Sequence, residues 1–216
     1  MIIAIDGPSG SGKSSTAKQV AKALNFVYLD TGAMYRAVSV GVLRSGIAPE
    51  NPEEVAEAVR HMTVLFRKGK VLLNGRDVTT AIREDAANKA VTPVSANPAV
   101  RKLLVEKQRA YARDHDVVME GRDIGTVVFP DAEYKFFLTA EIAVRAERRM
   151  KEAPDALSLE EVKDDLQRRD EYDASREHSP LKCAADAIVI DTTNMTLQQQ
   201  TDKILSLIRE PKNGGK

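Results

Sequence analysis

The sequence predicts an α/β fold built on a five-stranded parallel sheet, with a small β insert and a charge-dense helical segment. Three observations predict it. Residues 2–6, 26–30, 117–120, 134–138 and 187–191 form short, near-continuous apolar runs, the pattern of strands covered on both faces. Helical patterns separate these runs, so strands and helices alternate and the sheet runs parallel. The first run leads directly into Gly7-Pro8-Ser9-Gly10-Ser11-Gly12-Lys13-Ser14, a glycine-rich strand-to-helix loop that can turn backbone N–H groups around a phosphate.

Taken in chain order, strand 2–6 and its loop are followed by a helix over about 13–24 and a second strand at 26–30. Asn51-Pro52-Glu53-Glu54 starts another helix, with proline in its first turn. Residues 63–79 break the alternation. Two β-prone runs surround a Lys68-Gly69 turn, and an Asn74-Gly75 turn follows, which predicts a small antiparallel meander. It is too small to be stable alone, so it is an insert. Strands at 117–120 and 134–138 precede a charge-dense helical stretch, 145–179. Within it, Ser158-Leu159-Glu160-Glu161 is a capping box for a helix running to about residue 170. The last strand is 187–191, and the tail 211–216 is expected to fray. Asp6, Asp30, Glu120 and Asp191 sit at the carboxyl ends of strands, the side on which open parallel sheets bind ligands.

The chain has 216 residues, 43% hydrophobic and 30% charged, which suits one well-buried globular unit with a smaller appendage. Lys plus Arg equals Asp plus Glu at 32 each, so a general nucleic-acid binder, which would be basic, is disfavoured. One cysteine, Cys183, cannot form an internal disulfide. No apolar run approaches the ~20 residues of a membrane span, and the N-terminus has no basic region or long apolar run. The expected setting is the cytoplasm, with no membrane partner. His61, His115 and His178 show no metal-ligand spacing and no nucleophile partner.

Gly7, Gly12, Lys13 and Ser14 satisfy every fixed position of the pattern G-x-x-x-x-G-K-[ST]. The helix that follows directs its positive end at the loop. Lys13 is placed for the β- and γ-phosphates of a nucleotide triphosphate, and the Ser14 hydroxyl for Mg²⁺. The bland alternative is a glycine-rich turn with a chance lysine, and chance yields this pattern in on the order of one in a hundred chains of this length. The loop alone does not separate a switch or motor from a kinase. The base reader of GTPases, Asn-Lys-x-Asp, fails at Asn88-Lys89-Ala90-Val91, and the nearest equivalent of a Walker B aspartate is Glu120.

A small kinase must bring two anionic substrates together, so arginines are expected in loops outside the phosphate loop. Arg36, Arg101 and Arg122 are so placed, and a further group comprises Arg145, Arg148, Arg149, Arg168, Arg169 and Arg176. For the helical ones a solvated face is an equal explanation, because Arg145 can pair with Glu141, Arg168 with Asp164 and Arg169 with Asp165 at i,i+4. Arg122 stands just past a strand end, where an unneeded charge would be costly.

The chain resembles the bacterial cytidylate kinases. Five pieces carry the resemblance: the phosphate loop, Asp30-Thr31-Gly32-Ala33-Met34-Tyr35-Arg36, Gly121-Arg122-Asp123-Ile124-Gly125-Thr126, Arg168-Arg169-Asp170 with Asp173 and Arg176, and Ser179-Pro180-Leu181. It extends from about residue 2 to 208. The resemblance implies an adenylate-kinase-like fold in three parts. A CORE would hold 1–30, 83–144 and 179–210. A monophosphate-binding part would hold 31–82, with the β insert at about 62–82. A helical LID would hold 145–178. It implies ATP as donor and CMP or dCMP as acceptor, with Mg²⁺, small-molecule partners only, and a monomer.

Residue by residue, the resemblance places Gly7, Pro8, Ser9, Gly10, Ser11, Gly12, Lys13, Ser14 and Ser15 on ATP, with Arg145 and Arg149 from the LID. Thr31, Arg36, Arg122 and Arg176 would hold the CMP phosphate. Thr92, Arg101 and Asp123 would read cytosine, with Arg169 and Asp173 near the ribose and phosphate. Lys13, Arg122 and Arg176 would be the catalytic cations. Ser15 and Thr92 stand where the family often has Thr and Ser, so a hydroxyl is kept at both. The remaining alternatives are a kinase for another small acceptor such as UMP, a nucleotide-dependent module without transfer activity, and an RNA binder using a basic helical face. The absence of Trp and of an aromatic stacking set weighs against the last.

Overall fold

All five apolar runs become strands of one sheet in the computed structural model, which describes residues 1–67, 69–152 and 158–209. They are β1 (Ile2–Asp6), β2 (Val27–Asp30), β6 (Val117–Gly121), β7 (Tyr134–Thr139) and β8 (Ile188–Asp191), in the order β2-β6-β1-β7-β8. β1 pairs in parallel with β6 and with β7, and β7 with β8. Central strands have no solvent face, which is why β6 is buried at all five positions. One core joins Ile3, Ile5, Val118, Phe136, Leu138 and Ile190 of the sheet to Ala17, Val20 and Ala21 of α1 (Lys13–Leu24) and to Ile204 and Leu205 of α8 (Leu197–Arg209). From β1 the chain goes first to one edge of the sheet and later to the other. The loop after β1 therefore opens at the point where the order reverses, the usual ligand crevice of such sheets.

The remaining helices are α2 (Thr31–Arg44), α3 (Pro52–Val59), α4 (Asp85–Ala96), α5 (Pro98–Ala112), α6 (Ile142–Glu152) and α7 (Leu159–Ser175). Their starts follow from side chains that satisfy orphan N–H groups. Asp30 accepts from Ala33 N, Asn51 from Glu54 N and Asn97 from Ala99 N. The capping box at Ser158 forms in both directions with Glu161. α7 runs five residues past the expected stop near 170, because no Gly or Pro follows until Pro180. The insert is the antiparallel sheet β3 (Val64–Arg67), β4 (Lys70–Leu73) and β5 (Arg76–Asp77). Asn74 and Gly75 both take positive φ, 48° and 77°, the backbone that a tight hairpin needs. Lys68 of the other expected turn lies outside the described residues, as do 153–157 of the expected LID, residue 210 and the expected frayed tail 211–216.

By packing, the chain divides into two compact units. The first holds Met1–Leu29, His115–Ser175 and the chain from Ser179 onward, and the second Asp30–Asp114 with Arg176–His178. The resemblance implies that 83–114 belong with the sheet; here α4 packs on α2 and α5 on α3, within the second unit. α6 and α7 close on each other through Ala146, Val162 and Leu166 in the first. Among the described residues, no helix is long and apolar enough to cross a membrane.

Candidate functional site

The phosphate loop is held open by its carbonyls. Lys13 Nζ donates to Pro8 O at 2.7 Å, Arg145 Nη1 to Ser9 O at 3.1 Å, and Thr192 Oγ1 to Ser11 O at 3.0 Å. These three bonds fix the course of the loop backbone, whose glycines allow N–H groups to turn toward an anion. Glycine is required at two points. A Cβ at Gly7 would stand 2.1 Å from Leu138 O, and Gly12, at φ 89°, would drive one to 2.8 Å from Gln200 Oε1. Gln200 is itself fixed by accepting from Thr16 and donating to Met195 O.

Two carboxylates from adjacent strands complete this end of the sheet. Glu120, 4% exposed at the end of β6, accepts from Ser14 Oγ at 2.8 Å and from Tyr28 at 2.6 Å. Asp6, also 4% exposed, accepts from Ile124 N at 2.9 Å and Gly125 N at 2.7 Å. These two amides open a single π-helical turn, Ile124–Val128, that follows Arg122 and Asp123. Such turns concentrate at functional sites. Burial pushes the Asp6 carboxyl up to about 6 against the pull of the two amides, with Asp123 adding to the rise.

The cations around the loop are held just as firmly. Arg122 Nε donates to Asp173, 2% exposed, at 2.9 Å. Burial, and then the Arg122 guanidinium, push the Lys13 ammonium down to about 7; Arg169 adds to this, while Glu120 and Asp6 oppose it. Arg122 and Arg169 thus both bear on the Lys13 ammonium, a repulsion that a bound polyanion would relieve. Arg145 does not pair with Glu141 as its spacing allowed. Its guanidinium goes to Asp170, Ser9 O and Ala140 O, and it is only 8% exposed. Asp170 also accepts from Ser9 N. Arg145 is therefore built into the wall of the phosphate loop, while Arg149 is half-buried on the same helix, α6.

The second unit carries Thr31, Arg36, Thr92, Arg101 and Arg176. Thr31 is buried at the start of α2, and Arg36, one turn on, pairs with the capping Asp30 at 3.3 Å. Arg101, 5% exposed, lies over the Tyr35 ring at 5.4 Å and donates to Ser95 O. Arg176 donates to Ser95 Oγ at 2.9 Å, and Ser95 Oγ donates to Thr92 O. Each unit therefore gathers its own share of the expected residues: the loop, Arg122, Asp123, Arg145, Arg149, Arg169 and Asp173 in the first, the other five in the second.

Residues 3–210 match the family described as cytidylate kinase. The chain belongs to the cytidylate kinase family. A cytidylate kinase of Caldanaerobacter subterraneus subsp. tengcongensis is 45% identical over 215 residues, spanning 98% of this chain and 96% of that protein. One of Desulfitobacterium hafniense is 47% identical over 214 residues, spanning 96% and 92%. Among solved structures, an uncharacterized protein from Eubacterium ventriosum aligns with a TM-score of 0.53 at 13% identity, over 98% of this chain and 99% of that one; the likeness is one of fold. The parallel sheet, its strand order and the phosphate loop make this an adenylate-kinase-like P-loop kinase fold.

In this cytidylate kinase family member, several residues at the site had no role in the sequence reading. The sequence places Asp6 and Glu120 at strand ends on the ligand side, Glu120 also as the nearest Walker B equivalent, and Asp170 within a family string, but gives none of them a partner. It singles out neither Tyr28, Ser95, Thr192 nor Gln200. A strand-end acid followed by glycine was the available signal for Glu120. The others are ordinary residues whose partners are far away in sequence.

Proposed function

We propose that the protein transfers the γ-phosphoryl group of ATP to CMP and dCMP, giving ADP and CDP or dCDP, as a monomeric cytoplasmic enzyme of pyrimidine nucleotide metabolism. The observation that carries the reading is a complete phosphate loop with Lys13 buried and bonded to Pro8 O and Ser14 bonded to Glu120, its lysine depressed first by burial and then by the charge of Arg122. Such a site favours the highly charged transition state of phosphoryl transfer.

The loop amides and Lys13 bind the donor phosphates, with Ser15 and Arg149 beside them. Arg145 contributes through its hold on Ser9 O. Ser14 and Glu120 present oxygen donors 2.8 Å apart, which fits Mg²⁺. When bound, the metal neutralises charge on the β- and γ-phosphates. Arg36, Arg122, Arg176 and Thr31 hold the CMP phosphate, Arg169 and Asp173 sit by its ribose, and Asp123, Thr92 and Arg101 read cytosine. The CMP phosphate is largely dianionic at neutral pH, so its oxygen attacks the γ-phosphorus without a general base. The new O–P bond forms as the β,γ-bridging O–P bond breaks and ADP leaves. Arginines and lysine spread the charge of the two anions as they meet in line.

An ADP-release assay across CMP, dCMP, UMP, AMP and a simple alcohol tests this. CMP and dCMP should stimulate ADP formation most. A profile led by UMP would move the enzyme to another acceptor, and no acceptor stimulation at all would make it a binding module.

A further inference from the structure

Ser95 lies near the end of α4 and is 6% exposed. Its carbonyl is one of the last four of the helix, which have no helical N–H to accept from. Arg101 Nη1 fills that place at 3.3 Å, and a cation there also meets the negative end of the helix dipole. The Ser95 hydroxyl accepts from Arg176 Nη2 at 2.9 Å and donates to Thr92 O at 3.2 Å. One small residue therefore touches three of the groups placed with the acceptor nucleotide. They come from α4, from α5 and from the segment just after α7.

The chemistry of the contact matters. A carboxylate at this position would bind both arginines more strongly, and would then compete with the phosphate for them. A hydroxyl orients a guanidinium without cancelling its charge. Alanine would keep the carbonyl and with it the Arg101 contact, but would remove the hydroxyl that accepts from Arg176 and donates to the Thr92 carbonyl. Long arginine side chains lose much freedom when a ligand fixes them. Fixing them in the folded protein removes that cost from the binding step.

We propose that Ser95 is a positioning residue for the acceptor nucleotide, orienting Arg176 through its hydroxyl and Arg101 through its carbonyl. The proposal rests on the assignment of Arg101 and Arg176 to CMP. Steady-state kinetics and calorimetric CMP binding to the full chain test it. Ser95→Ala should raise KM for CMP and weaken CMP binding by about five- to tenfold, the factor carried by the net contribution of one ordinary hydrogen bond. KM for ATP and the thermal unfolding midpoint should stay near those of the wild type. Ser95→Thr, which keeps the hydroxyl, should restore KM to within about twofold.

In an Arg176→Ala background, which by itself raises KM for CMP, adding Ser95→Ala should cost nothing further. Unchanged CMP affinity in Ser95→Ala would overturn the proposal. So would a Ser95→Ala loss that persists in full in the Arg176→Ala background, since the serine would then act by another route. Arg176→Ala with undiminished CMP affinity would instead remove the underlying acceptor assignment, a distinguishable result.

Discussion

The Ser14 hydroxyl donates to Glu120 Oε2 at 2.8 Å, linking the first turn of α1 to the end of β6. The other carboxylate oxygen accepts from Tyr28 at 2.6 Å, so the acid is held from both sides. Glu120→Gln keeps the shape but removes the charge and leaves one of the two donors facing an amide. The Mg²⁺ concentration for half-maximal activity should rise about tenfold or more, the usual penalty for disturbing a metal's supporting carboxylate. Calorimetric affinity for Mg·ADP should fall in parallel, with KM for CMP little changed. An unshifted Mg²⁺ dependence would remove Glu120 from this role.

Lys13 is buried beside Arg122 and Arg169 and donates to Pro8 O. Lys13→Met should lower the transfer rate by at least about 10²–10³-fold, the range seen when one preorganised transition-state donor is lost. CMP binding, measured without ATP, should survive. Turnover near the wild-type rate would defeat the phosphate-loop assignment.

Asp6 yields a prediction about stability and pH. Burial raises its folded-state value from the ordinary 3.8 to about 6. A raised value means the folded protein holds the proton more tightly than the unfolded chain. The group's stabilising contribution is therefore complete below about pH 3.8 and is lost as pH rises through about 6. Asp6→Asn does not titrate, and one of its amide acceptors is replaced by a donor facing Ile124 N or Gly125 N, at a cost of about 1–3 kcal/mol. The variant should melt below the wild type, and the gap should narrow between pH 4 and 7. A gap that stays constant or widens with pH would contradict the assignment.

Asp123 is 4% exposed and stands beside Arg122 at the start of the π turn. Under the proposed function its carboxylate would accept from the exocyclic amine of cytosine and repel the uracil carbonyl. Asp123→Asn should therefore narrow the CMP-over-UMP ratio of kcat/KM by at least about tenfold, since unpaired buried polar groups dominate such discrimination. An unchanged ratio would take base reading away from Asp123.

The sequence by itself determined the five strands, the helix of the phosphate loop and the β insert. These depend on local causes: apolar runs, glycines, caps and turn residues act within a few positions. It also supplied the identities of the loop, Arg122 and Asp123, because the resemblance attaches to contiguous strings. Only the tertiary structure decided which side chains support one another. Ser95 and Arg176 are 81 positions apart, Tyr28 and Glu120 are 92, and Arg145 finds Asp170 rather than the nearer Glu141. A helical spacing offers a charged side chain its neighbours, but burial decides among them, because a guanidinium withdrawn from water needs the partners that the fold brings to it. For the same reason the roles of Ser95 and Tyr28 left no mark in the sequence: each is an ordinary residue until the chain folds a charged group against it.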